Sequence, residues 1–155
     1  MIFSGFGNAP AHMSFDRMAR AVDEFAKNSD EEVLVQTGHT QYIFKYAKTV
    51  KFMEHDELIN TLKQASLVIL QGGWGTIAES LALGKKVISI PRRVGQECNH
   101  PQEDVVRHLE EMGCLIGCYD EKKLPEMVEK SKTFIPKQVP KGSAKQVLTE
   151  FFDSL

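Results

Sequence analysis

The sequence has no long hydrophobic run. Its longest purely aliphatic stretch is Leu67-Val68-Ile69-Leu70, far short of the roughly 20 residues that cross a bilayer. It has no excess of one charge. Lys and Arg number 19 and Asp and Glu 21, a formal net charge of −2. General nucleic-acid binding needs surplus cations to displace counterions, so that class is excluded. Cysteine is scarce. Cys98, Cys114 and Cys118 are an odd count, which reads as reduced thiols rather than a disulfide framework. With His100 and His108 they make a conceivable zinc set, but the spacing matches no standard knuckle; buried structural thiols are the plainer reading. No charged-then-apolar leader opens the chain, and the expected location is cytoplasmic. There is no internal repeat, no low-complexity tract and no G-x-x-x-x-G-K-[S/T], so a P-loop is excluded.

What is present is a globular composition. Apolar residues make 42% and charged residues 26% of 155 residues, enough for one domain with a full core. Apolar runs alternate with helical patterns. Strands are expected over 1–6, 32–36, 50–53, 67–70, 87–90 and 114–118. Phe15, Met18, Val22 and Phe25 recur at helical spacing behind Ser14, a candidate cap. Further helices are expected over 54–64, over 76–83 (closed by Gly84), from Pro101 in a first turn capped by Asn99 or His100 to a stop at Gly113, and over 121–130. The alternation predicts an α/β fold: a doubly wound, mainly parallel, Rossmann-like sheet with helices on both faces. This domain is placed over 1–132. A basic connector and a final amphipathic helix, near 143–153 with Val147, Leu148, Phe151 and Phe152, fill 133–155. That helix closes the domain's own core or docks on a partner. Between Lys130 and Gln146 stand Lys130, Lys132, Lys137, Lys141 and Lys145 and no acid, a solvated linker or an attraction to anionic lipid.

The chemistry concentrates in Leu70-Gln71-Gly72-Gly73-Trp74-Gly75-Thr76-Ile77-Ala78-Glu79. A buried strand ends, glycines follow, and a helix begins. Glycines allow close approach of a ligand to the main chain. The helix start offers unpaired N–H groups and a partial positive charge, a site suited to a diphosphate. Glu79, about one turn in, can accept both hydroxyls of a ribose. Gly73 to Ala78 also fits G-x-G-x-x-A, but mid-chain, and Arg92-Arg93 stand where the dinucleotide pattern wants an acid. Two arginines can serve a 2′-phosphate, so an NADP-binding reductase stays open. So do a non-catalytic nucleotide-binding module and a tight turn with no ligand.

The wider pattern is more specific. Leu67-Val68-Ile69, Gly72-Gly73, Gly75-Thr76, Glu79, Leu81, Gly84-Lys85, Val87-Ile88 and Ile90-Pro91-Arg92 continue through Asn99, Gln102, Leu109 and Gly113. Phe15-Asp16-Arg17, Ala21-Val22-Asp23 and 35–40 precede them. This pattern resembles the C-terminal domain of glycosyltransferase family 28, the donor-binding half of the GT-B fold, over roughly residues 2–130. The resemblance implies a UDP-sugar, UDP-GlcNAc or a related hexose donor. It implies that Gly72, Gly73, Gly75 and Thr76 hold the diphosphate and Glu79 the ribose. Gln102 and Asn99 would meet the donor sugar, with Arg92 near the base or phosphates. It implies no metal and no other cofactor, because a helix N-terminus and backbone donors neutralise the leaving diphosphate. The family commonly carries Ser-His where Leu70-Gln71 stand, a small residue at Trp74, and a His at Pro101. The acceptor and its base come from another domain in two-domain relatives, and His12 and Asp16 are weak candidates here. Some relatives are split, as in the dolichol-linked GlcNAc transferase and bacterial exopolysaccharide transferases. The resemblance is to the small chain of such a pair, with a membrane-anchored, acceptor-binding partner subunit and transfer to a lipid-linked or polysaccharide acceptor.

Overall fold

A computed structural model describes residues 1–139. The expected helix near 143–153, with Lys141 and Lys145, lies outside the described residues.

Six strands form one parallel sheet: β1 (Ile2–Gly5), β2 (Val33–Gln36), β3 (Lys48–Val50), β4 (Leu67–Gln71), β5 (Val87–Ile90) and β6 (Ile116–Gly117). Their spatial order is β3-β2-β1-β4-β5-β6. The chain therefore builds outward from β1 in one direction, returns to its other side, and builds outward again. β1 and β4 are neighbours at the point of reversal, with Gly5 paired to Leu70. In such sheets the crevice beyond the carboxyl ends of these two strands is where ligands sit.

The helices are α1 (Asp16–Lys27), α2 (His55–Gln64), α3 (Trp74–Ala82), α4 (Gln102–Glu111) and α5 (Leu124–Ser131). Strand pleating divides the core between them. Leu67 and Ile69 of β4 pack with Met18, Ala19 and Val22 of α1 and Leu124 of α5 on one face. Val68 and Leu70 pack with Leu62, Ile77, Leu81, Val106 and Leu109 of α2, α3 and α4 on the other. The four aliphatics of β4 read as an unbroken run because both faces of that strand are buried.

Several element ends differ from the sequence reading. β3 lies at Lys48–Val50, not 50–53: Phe52 stacks edge-on against His39 beyond the strand and is half exposed. Ser14 does not cap α1; the cap residue is Phe15, and the Ser14 hydroxyl donates to Asp16. Pro101, rather than Asn99 or His100, precedes α4. Gly84 ends α3 as expected, with φ +72° and its N–H on the Leu81 carbonyl. The three cysteines are buried and free. Burial pushes the Cys118 thiol up to about 11.

One buried carboxylate fixes the outer part of the sheet. Asp23, on α1, is 1% exposed. It accepts from the Tyr42 hydroxyl and from the N–H groups of Lys45, Tyr46 and Ala47. Burial alone would raise this carboxyl; the three backbone bonds and Tyr42 outweigh it and hold the group below its ordinary value.

Candidate functional site at the reversal of strand order

Gly72 and Gly73 leave β4, and Gly73 is the cap residue of α3 with no side chain bonded to the helix start. The first-turn amides lack intrahelical partners, and the helix starts beside the crevice between β1 and β4. Gly5, Gly7, Gln36, Gln71, Gly73 and Thr76 line it. Gly7 carries φ +73° and Gly38 φ +56°. A Cβ on Gly38 would meet the Gly7 carbonyl oxygen at 2.5 Å, so the loops after β1 and β2 meet backbone to backbone. Gly75 has nothing within 4 Å of its Cβ position. It faces open space at the second residue of α3.

Gly72 plays a different part from its neighbours. Its N–H donates to Gln102 Oε1 at 3.0 Å, and a Cβ there would lie 2.8 Å from the Gln102 Cβ. Its amide is spent on protein. Gln102 Oε1 accepts a second bond from the Arg92 N–H at 3.0 Å, and Gln102 Nε2 donates to Gln71 Oε1 at 2.8 Å.

Arg92 is buried, 3% exposed. Nε donates to Gln71 Oε1, Nη1 to the carbonyls of Met13 and Glu97, and Nη2 to that of Phe6 at 2.6 Å. Burial pulls the guanidinium below its ordinary value, against the pull of Cys98 and Glu97. Its Cζ and that of Arg17 each lie 4.8 Å from the Phe15 ring centre. Arg92 thus ties the loops after β1 and β5 to the end of β4, and it reaches the crevice through Gln71.

Gly72, Arg92 and Gln102 are therefore brought together, with Gln71 joining them. Gly73, Gly75 and Thr76 share the start of α3. Glu79 stands one turn further along and pairs with His55 Nε2 at 2.7 Å. Asn99 is exposed on the loop before α4 and makes no side-chain bond among the described residues. His12 and Asp16 are exposed beyond the β1 loop. Gln71 and His55 stood outside the expected set. The signal for Gln71 was its place directly before the glycines; nothing local marked His55.

The sequence pattern agrees with this arrangement. The model of the glycosyltransferase family 28 C-terminal domain matches residues 12–154. The chain belongs to that family. No curated protein matches it. Among solved structures, the glycosyltransferase SnogD from Streptomyces nogalater is similar with a TM-score of 0.59 and 19% identity, over 96% of this chain and 42% of that one. CalG4, the calicheamicin glycosyltransferase, gives 0.62 and 14%, over 83% and 34%. MurG of Acinetobacter baumannii gives 0.52 and 16%, over 98% and 51%. At these identities the likeness shows the fold, which is one half of the GT-B architecture. This family 28 domain spans between about a third and a half of those proteins. Among the described residues no helix is long and apolar enough to cross a membrane.

Proposed function

We propose that the chain binds a UDP-sugar, UDP-GlcNAc or a related hexose donor, and serves as the donor-binding half of a glycosyltransferase. The observation that carries this reading is the uncapped start of α3 at the β1–β4 crevice, in a family 28 C-terminal domain. Gly73, Gly75 and Thr76 meet the diphosphate, with Gly72 behind them as the hinge to α4. Glu79 accepts the ribose hydroxyls. The second N–H of Gln102 and the Asn99 amide meet the sugar. Arg92 holds the loops that carry these groups.

In the transfer an acceptor oxygen attacks the anomeric carbon, the bond from that carbon to the β-phosphate oxygen breaks, and UDP leaves. Negative charge grows on the diphosphate. The α3 amides and dipole are already aimed there, so the charge is stabilised without reorganisation. In this proposal the base that takes the acceptor proton, and the acceptor site itself, belong to a second, membrane-anchored chain. The solved relatives extend well beyond the region matched here, which leaves room for such a half. A lipid-linked or polysaccharide acceptor suits that placement, at the cytoplasmic face of a membrane.

Calorimetry with UDP and UDP-GlcNAc tests the reading. Wild type is expected to bind both, and Glu79→Ala to weaken UDP by about tenfold or more, as loss of hydrogen bonds to a charged group requires. Absence of UDP binding sinks it. Binding of NADPH instead would favour the reductase, although Arg92 is buried and only Arg93 is free to meet a 2′-phosphate. Donor binding with no transfer in the presence of the cognate membrane chain would leave a non-catalytic module.

A further inference from the structure

His55 is the first residue of α2, and Glu79 lies in the second turn of α3. Leu58, one turn after His55, and Thr76, one turn before Glu79, both line the β1–β4 crevice. Residues three apart share a helix face, so His55 and Glu79 stand at the rim of that crevice and on its side. They bond to each other, Nε2 to Oε1 at 2.7 Å. An ionised carboxylate only accepts, so the imidazole nitrogen facing it carries the proton. Among the described residues this is the one side-chain hydrogen bond that Glu79 makes. His55 is 68% exposed and Glu79 34%, so the carboxylate has an open side.

We propose that His55 is a positioning residue for Glu79, and that the pair makes this site select ribonucleotides over deoxyribonucleotides. The inference rests on the reading of Glu79 as the ribose-binding group. A glutamate side chain turns about three bonds, and freezing them opposes ligand binding. The His55 bond freezes them beforehand. A carboxylate has about four lone-pair sites. His55 occupies one on Oε1 and turns the others outward, where two vicinal hydroxyls can donate. The gain is preorganisation, so it exists only for a ligand that carries those hydroxyls.

Calorimetry of the full chain with UDP and with 2′,3′-dideoxy-UDP tests this. Wild type is expected to favour UDP. His55→Ala should weaken UDP by about three- to tenfold, the scale of one hydrogen bond, and leave the dideoxy nucleotide unmoved. His55→Gln, whose amide N–H reaches the same oxygen, should restore most of the loss. On a Glu79→Ala background His55→Ala should have no further effect. Equal weakening of both nucleotides by His55→Ala would mean that it merely supports α2, and would overturn the proposal; so would no weakening of either. A wild type that binds both nucleotides equally overturns the ribose role of Glu79 instead. A wild type that binds neither overturns the nucleotide-sugar reading itself.

Discussion

Arg92 Nε donates to Gln71 Oε1 at 3.0 Å, and that bond decides which way the Gln71 amide faces. A guanidinium only donates, so the atom opposite it must be oxygen. Gln102 is settled in the same way, because its own oxygen accepts two backbone N–H groups. Its nitrogen is thereby turned toward Gln71 Oε1 as well. The consequence is at the crevice. The Gln71 NH2 group is pressed into the gap between two glycines; Cβ atoms on Gly7 and Gly73 would come within 2.4 and 2.3 Å of it. A buried cation thus aims a neutral donor at the place where the diphosphate is proposed to lie.

Gln71→Glu reverses that donor while sparing its supports. Glutamate has the same shape and keeps an oxygen for Arg92 and Gln102, so the fold should be unaffected. Its other oxygen brings negative charge to the glycine gap. UDP affinity should fall by about 10- to 100-fold, the 1.5–3 kcal/mol of a hydrogen bond to a charged group. Uridine, which has no phosphate, should bind as it does to wild type. Equal losses for both ligands in calorimetry would show that the gap is not the phosphate site.

Arg92→Lys should cost stability. One point charge cannot span the carbonyls of Phe6, Met13 and Glu97, and at least two of these buried or half-buried acceptors lose their partner. A loss of about 2–4 kcal/mol follows from charged hydrogen bonds at a buried position. Urea denaturation should show a lower midpoint at unchanged slope. A loss under about 1 kcal/mol would mean that the two loops and the end of β4 hold together without the guanidinium fork.

The glycine turn and its helix were legible because both signals are local: an unbroken aliphatic run, then adjacent glycines. The strand–helix alternation was legible for the same reason. β3 was misplaced because its Lys48 and Thr49 are exposed and carry no apolar pattern. Its position follows from Asp23, whose grip on the N–H groups of residues 45–47 delivers the chain to the edge of β2. Within the site, candidate residues could be named from the sequence, but the bonds that join them could not. Arg92 meets the Phe6 carbonyl across 86 positions and His55 meets Glu79 across 24. Folding, not sequence proximity, turned Arg92 into a buried clamp.

Asp23→Asn should carry a pH signature. The folded carboxyl titrates below its ordinary 3.8, so the stability it contributes is present above that value and is lost as pH falls through the folded-state value beneath it. Asparagine puts a donor where backbone N–H groups point. Near neutral pH the substitution should cost about 2–3 kcal/mol. The gap between variant and wild type should close at the acid end, where protonated Asp23 presents the same mixed set of groups. Denaturation series from pH 7 downward would measure it; a gap independent of pH would show that the charge of Asp23 contributes nothing.

Gly75→Ala separates folding from binding most sharply, because the two should move in opposite directions. Gly75 is helical, has an ordinary φ, and has open space where a Cβ would stand. Alanine loses less backbone entropy on folding and is the better helix former, so the ligand-free domain should gain about 0.5–1 kcal/mol. In the proposed diphosphate site the same methyl group would stand at the first-turn amides of α3. A diphosphate that lies against the main chain must retreat from it, and hydrogen bonds to its charged oxygens lengthen or break. UDP binding should therefore weaken by about tenfold or more in a protein that melts higher. A variant that is more stable and binds UDP unchanged would leave Gly75 as an ordinary helix residue. The diphosphate would then have to sit deeper, against Gly7 and Gly73, where the Gln71 amide is the donor that meets it.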